Sequence, residues 1–345
     1  MRPGQPRLPV IAAYAARDFL IGAVFLYGYV YAAYKFGNPL FGRNDFLHYK
    51  DMVAHPFDFS AAPAPFVLRQ IPAIVAALFY KLGISYHTQA VVDLIGFDDD
   101  TKRRFLAMIL SNALAVCLSF TLLAGYLRDK LVRDSLLDLF ALFGLFAAWF
   151  WFSITVIAPV TVGWGFLASS LFIIAFLERN FALTCVGCAL ALFSRETTLI
   201  FAGALFGALL LFGPDRSRAV IKSVAVLAAA CIAYLLIRKL FTSGYEHQIS
   251  PQRILAALKA PHISRDFLFQ SILSEALLLL LLIGIALRQP RHAIYLLLAL
   301  GAVTLVAFAT QISETAMLWG EALPFYAVMF FLAHARPAVS APVPY

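Results

Sequence analysis

Charge is what this sequence has least of. Only 13% of its 345 residues are Asp, Glu, Lys or Arg, against about 25% in soluble domains, too few to cover a water-facing surface. Strict alternation of apolar and polar residues is also missing, which argues against a transmembrane barrel. No GxxxxGK[ST] loop, GxGxxG fingerprint or HExxH pair occurs, so neither nucleotide-driven transport nor zinc hydrolysis is indicated. Cysteine is scarce: Cys117, Cys185, Cys188 and Cys231 all fall within apolar runs. Cys185 and Cys188 form a CxxC with no second pair or histidine close by in sequence, which favours packing over a metal or redox role. No small-residue cleavage site follows the apolar run at Phe19 to Tyr34, so the N-terminal run is expected to stay as the first anchor.

Apolar length is what the sequence has in abundance, with 62% hydrophobic residues. Phe105 to Tyr126, Ala219 to Ile237 and Phe267 to Leu287 each approach the roughly 20 helical residues that cross a hydrocarbon core. In that solvent every backbone amide must bond within the chain, so helices are expected. The expected fold class is an all-α polytopic bundle of about ten spanning helices. Its spans fall at 16–36, 104–126, 136–153, 161–178, 180–194, 197–213, 219–238, 267–287, 293–310 and 322–335. One transmembrane domain thus occupies 1–336, with outer loops at 37–103 and 241–266 and a disordered tail at 337–345.

Basic residues decide the orientation. The net charge of +8 comes from Lys and Arg gathered in short loops, which reads as topology and not as a nucleic-acid footprint. The run Phe66 to Leu82 is shorter and carries Arg69, Pro72 and Lys81. If it does not cross, Arg2, Arg7, Arg128, Lys130, Arg133, Arg179, Arg216, Arg218, Lys222, Arg288, Arg291 and Arg336 share one side, the cytoplasmic one. That run is therefore expected to be an interfacial or re-entrant helix on the outer face, and function is sought on that face.

Several outer residues could carry chemistry. Asp45, His48 and Tyr49 follow the first span and would share one helical face. Such a segment is either a solvated loop helix or a place where a partly desolvated Asp45 takes a proton from a hydroxyl. Arg69 either snorkels to the interface or offers its planar fork to a phosphate. Arg195 and Glu196 stand between two short apolar runs, too deep for an ordinary loop. They either satisfy each other or hold a phosphate and a sugar hydroxyl. Glu314 and Glu321, seven residues apart, share a face if helical, and Trp319 beside them is either an interfacial anchor or a platform for a sugar ring. The run Asp98 to Asp100 either ligates a hard cation or caps the second span, the latter being favoured. No metal ligand is assigned, and a divalent cation is not favoured.

In their order these parts resemble bacterial integral membrane glycosyltransferases of the GT-C superfamily. The likeness rests on Asp45 with Tyr49 in the first outer loop, on Pro65, Arg69 and Pro72 in a Pro-x-x-x-Arg-x-x-Pro segment, on the Ser194 to Thr197 turn, and on Glu314 before Leu323-Pro324. The resemblance implies a hexosyl- or pentosyltransferase of the bacterial inner membrane that takes a sugar from a polyprenyl-phosphate donor on the outer face. It also implies Asp45 as general base, inversion at the anomeric carbon, and a glycan or lipid-linked acceptor. Relatives often carry paired acidic residues where this chain has Asn44-Asp45, which weighs against a metal. The chain ends soon after the last span, so acceptor recognition is expected from loops or from a protein partner, with membrane lipid around it. The other classes in view are a polymerase or ligase of lipid-linked glycans, a flippase for them, and a noncatalytic subunit of a polysaccharide assembly.

Overall fold

A backbone surrounded by hydrocarbon has no water to bond, and the helix alone satisfies its amides within one segment. The computed structural model describes residues 8–36, 43–62, 66–84, 98–131, 135–152, 161–213, 217–240, 265–310 and 321–334. Among these the regular structure is helical throughout. In chain order the helices are α1 (Leu8–Phe36), α2 (Arg43–Ala54), α3 (Gln70–Lys81), α4 (Asp99–Leu131), α5 (Leu136–Phe152) and α6 (Val162–Glu178). They continue with α7 (Phe181–Leu192), α8 (Thr197–Phe212), α9 (Arg218–Leu240), α10 (Arg265–Arg288), α11 (Pro290–Thr310) and α12 (Leu323–His334), and a short 3₁₀ turn at Phe66–Leu68 precedes α3.

Three of these helices are long and apolar enough to cross a membrane, over Pro9–Tyr31, Asp99–Leu131 and Arg218–Leu240. Large apolar side chains stand exposed along them and their neighbours, including Val24 at 73% and Leu137 at 77%. Water would penalise that surface and lipid does not. The chain is a helical membrane protein.

Every expected span is helical, with altered ends. Helix α1 begins at Leu8 because the apolar run upstream of Asp18 continues the helix, and Pro9 is tolerated in a first turn. Helices α7 and α12 have 12 residues each, about 18 Å of rise against a hydrocarbon core of about 30 Å. The expected span 180–194 is therefore shortened. Asn180 opens α7 by accepting the Leu183 amide at 3.2 Å, and the chain leaves the helix at Phe193. The turn between α7 and α8 carries Arg195 and Glu196, and Arg195 is buried there.

Helix α4 is the central post, packed by α1, α3, α6 and α12. Asp98 caps it, its carboxylate accepting the Thr101 amide at 2.7 Å, which also holds that carboxyl below the usual aspartate range. Of the two readings of the acidic run, the capping one matches this geometry. Asp100 is taken up by Tyr80 at 2.5 Å and by Arg104. Helix α3 lies antiparallel along the N-terminal half of α4: Ser111 donates to the Pro72 carbonyl at 2.9 Å, while Tyr80 reaches Asp100. With 12 residues α3 rises about 18 Å, short of a hydrocarbon core of about 30 Å.

Two apolar clusters divide the interior. The larger binds α4 to α12 and α6 to α8 around Phe166, Phe172, Phe206 and Tyr326. The smaller lies toward the N-terminal end of α4, where α2, the 3₁₀ turn and α3 meet α4 through Phe46, Tyr49, Phe66 and Phe105, joined by Tyr234 of α9. The candidate site lies where the chain passes between the two. The expected tail at 337–345 and, but for its last two residues, the expected outer loop at 241–266 lie outside the described residues.

Candidate functional site

The 3₁₀ turn at Phe66–Leu68 buries three apolar side chains in succession, drawing the backbone down to the level of the α7–α8 turn. There the Ile71 amide donates to the Phe193 carbonyl at 3.0 Å, a main-chain tie between segments far apart in sequence. Arg69 sits at this junction, only 7% exposed. Its guanidinium does not snorkel to the interface. Nε and Nη2 donate to the two Glu196 oxygens at 3.1 and 2.8 Å, and Nη1 donates to the Tyr49 hydroxyl at 2.9 Å. The fork-to-fork match of guanidinium and carboxylate is the geometry that makes arginine suited to buried pairs.

A second pair adjoins the first. Arg195 Nε donates to Glu321 Oε1 at 2.5 Å, and Thr197 donates to Glu321 Oε2 at 2.6 Å. Arg195 and Glu321 are each 3% exposed. The two sequence neighbours therefore do not satisfy each other. Glu196 turns to Arg69 and Arg195 turns to Glu321, because a tight turn before α8 sends consecutive side chains in different directions. The result is a buried, electrically neutral cluster, Arg69–Glu196 beside Arg195–Glu321, that links α2, α3, the α7–α8 turn and the start of α12.

Gly165 makes room for it. A Cβ there would lie 3.1 Å from Arg195 Cγ and 3.2 Å from Glu321 side-chain carbons, so the α6 backbone forms one wall. Just before it in α6, Gly163 donates to Asn112 Oδ1 at 2.5 Å and Trp164 donates to Ser111 at 3.1 Å.

Of the residues singled out in sequence, Tyr49, Arg69, Arg195, Glu196 and Glu321 converge here. His48 stacks on Phe66 with ring centroids 4.4 Å apart, beside the cluster and not inside it. Asp45 belongs to α2, one turn before the fully buried Tyr49; its side chain lies outside the described residues, as do Glu314 and Trp319. Sequence reasoning missed Tyr234. It is buried on α9, within electrostatic reach of both Arg69 and Glu196, and one turn before Arg238 it reads in sequence only as an interfacial tyrosine. Asp18 was missed as well. Fully buried in α1, it pairs with Arg17 at 3.0 Å and Arg128 at 2.5 Å at the opposite end of the bundle.

The four cysteines are free thiols. Among the described residues no group of three or more His, Cys, Asp or Glu is placed to hold a metal ion. Fold and site together define a class: a helical membrane protein with a recessed carboxylate–guanidinium cluster near one end of its bundle. No protein-family model, curated protein or solved structure matches the chain.

Proposed function

We propose that the protein is a GT-C-type membrane glycosyltransferase of about ten spans, transferring a hexosyl or pentosyl unit from a polyprenyl-phosphate donor to a glycan or lipid-linked acceptor. Its site faces the outer side of a bacterial inner membrane. One observation carries this reading: a buried guanidinium, Arg69, stands beside Tyr49, one helical turn from Asp45, where α2 packs onto the longer helices of the bundle.

The reaction balances without a cofactor. The acceptor oxygen attacks the anomeric carbon, and its proton passes to Asp45. The bond from that carbon to the phosphate oxygen breaks, and its electron pair leaves on the lipid phosphate. Arg69 and Arg195 stabilise the growing charge, which a site poor in water strengthens. Both arginines are held by glutamates in the resting arrangement, so a phosphate has to share or displace a carboxylate. That charge balance also favours a second reading, in which the cluster lines the path of a flippase and no base is needed.

The test is turnover by purified protein with a panel of polyprenyl-phosphate sugars, read as release of the free lipid phosphate. Asp45→Asn is expected to cut turnover by at least about a hundredfold while carrier binding persists. Unchanged function in Asp45→Asn favours the flippase, and no carrier consumed by wild type removes the enzymatic reading.

A further inference from the structure

The end of the bundle opposite the arginine cluster carries charges that the proposed reaction does not use. There α4 and α5, consecutive in the chain, leave an open crevice of about 310 Å³ between them. Its lining changes from polar to apolar along both helices. Arg128 enters from the end of α4 and Asp138 from the first turn of α5. One turn further into the bundle on each helix, Ala124 and Leu142 line it, with Leu127 and Leu139 between. These four apolar side chains are buried. A crevice with charges at one end and hydrocarbon at the other is shaped for an amphiphile.

The charges narrow the choice of amphiphile. Arg128 is held from behind: Nη2 donates to Asp18 Oδ2 at 2.5 Å, and the guanidinium carbon lies 4.6 Å from the centre of the Tyr14 ring. A guanidinium has five donors, so a phosphate can share it with Asp18. Asp138 adds an acceptor to the same lining. An anionic phospholipid meets Arg128 but is repelled by Asp138. A choline headgroup brings a positive nitrogen with no N–H to donate. An ethanolamine headgroup brings a phosphate for the arginine and an ammonium with three donors for the aspartate. We propose that the crevice between α4 and α5 binds an ethanolamine phospholipid, its phosphate on Arg128, its ammonium on Asp138 and the first carbons of a chain on Ala124 and Leu142.

Depth and size agree with this occupant. The ion pairs Asp18–Arg128 and Lys130–Glu178 mark the level where hydrocarbon gives way to headgroups, since charges deeper in lipid are costly. The volume is near the lower end of small-molecule sites, enough for a headgroup while the rest of each chain runs out among the surrounding lipids. Neither the glycosyl-transfer reading nor the choice of cytoplasmic end enters this inference.

The experiment titrates the full chain in detergent with dioctanoyl phosphatidylethanolamine, phosphatidylcholine and phosphatidylglycerol, and native mass spectrometry counts the lipids bound. Wild type is expected to bind its first ethanolamine lipid about tenfold more tightly than either of the others, the worth of one charge-assisted hydrogen bond. Asp138→Asn keeps the size of the side chain, removes its charge and is expected to bind the ethanolamine and choline lipids alike. Glu178→Gln removes a carboxylate at the same end but outside the crevice, and is expected to keep the preference. Arg128→Lys leaves a charge for Asp18 but loses the planar fork, and is expected to weaken all three lipids, since each carries a phosphate. Each preference is a ratio within one variant, so a general loss of stability does not imitate the result. The inference is overturned if wild type binds the three lipids alike or prefers the glycerol headgroup, or if the preference survives in Asp138→Asn. Loss of the preference in Glu178→Gln as well would assign it to the surface charge of that end, and unchanged affinities in Arg128→Lys would remove the phosphate from Arg128; either overturns the site as stated.

Discussion

A guanidinium taken out of water without a partner costs several kcal/mol, and the carboxylate opposite it no less. Arg69 and Glu196 stand or fall together for that reason. Arg69→Ala or Glu196→Ala is expected to destabilise the protein by about 3–5 kcal/mol, because each leaves a buried charge unmet. The double replacement Arg69→Met with Glu196→Leu is expected to recover most of that loss, since a neutral apolar pair of similar volume needs no solvation. Thermal unfolding of all three in one detergent gives the comparison. A double variant as unstable as either single one would mean that the cluster holds the fold through something other than its charges. If the glycosyl-transfer reading is right, the stable double variant still loses turnover, which separates folding from function. Sequence made these residues conspicuous, since charges between short apolar runs have few innocuous explanations. It did not give their pairing: Arg195 and Glu196 are adjacent in the chain, yet a turn directs them to Glu321 and Arg69, more than 120 residues away. Tyr234 was hidden for a different reason. A tyrosine near a helix end has a common use at interfaces, and only the approach of α2 and α3 makes its hydroxyl noteworthy.

At the scale of elements, α4 and α6 set the geometry of the site through a glycine. A Cβ on Gly163 would collide with the backbone carbonyl and side-chain amide of Asn112, and backbone cannot step aside as a flexible side chain can. Gly163→Ala is expected to push the helices apart and cost about 1–3 kcal/mol for the overpacking, with further loss as the bond from its amide to Asn112 lengthens. Gly125→Ala on the same α4 meets nothing within 4 Å and is expected to be neutral or stabilising by up to about 1 kcal/mol from helix propensity. Thermal melts of the two variants against wild type check both. Gly163→Ala melting like wild type would show that the helices have slack at this crossing. The elements themselves were easy to read, because apolar length and helical hydrogen bonding leave few options in a membrane. Their ends were harder. The shortening of α7 and α12 depends on where buried charges find partners, and hydropathy contains no information about partners.

Across the whole molecule, two sets of buried charges mark two levels. Trp164, next to the glycine that walls the Arg69–Arg195 cluster, is bonded to Ser111 of α4, whereas Asp18 at the other end is bonded to Arg128 of the same helix. The seventeen helical steps from Ser111 to Arg128 rise about 25 Å, close to the thickness of a hydrocarbon core. Ion pairs thus sit near both margins of the apolar slab, with lipid-facing Leu and Val between them. If the short basic loops set the orientation as the sequence reading expects, the Arg128 end, where Lys130 also meets Glu178 at 2.7 Å, faces the cytoplasm. The orientation is open to a direct test with single cysteines introduced after the four native ones are replaced by alanine. Ser60→Cys, exposed between α2 and α3, is expected to react with a membrane-impermeant maleimide in intact cells. Ser135→Cys, just before α5, is expected to react only after the cells are opened. Labelling of both positions in intact cells would mean that α4 does not cross, and the reverse pattern would put the arginine cluster on the cytoplasmic side. In that case a sugar acceptor outside the cell could not reach Asp45, and the proposed reaction would have to be given up while the helix packing stayed as it is.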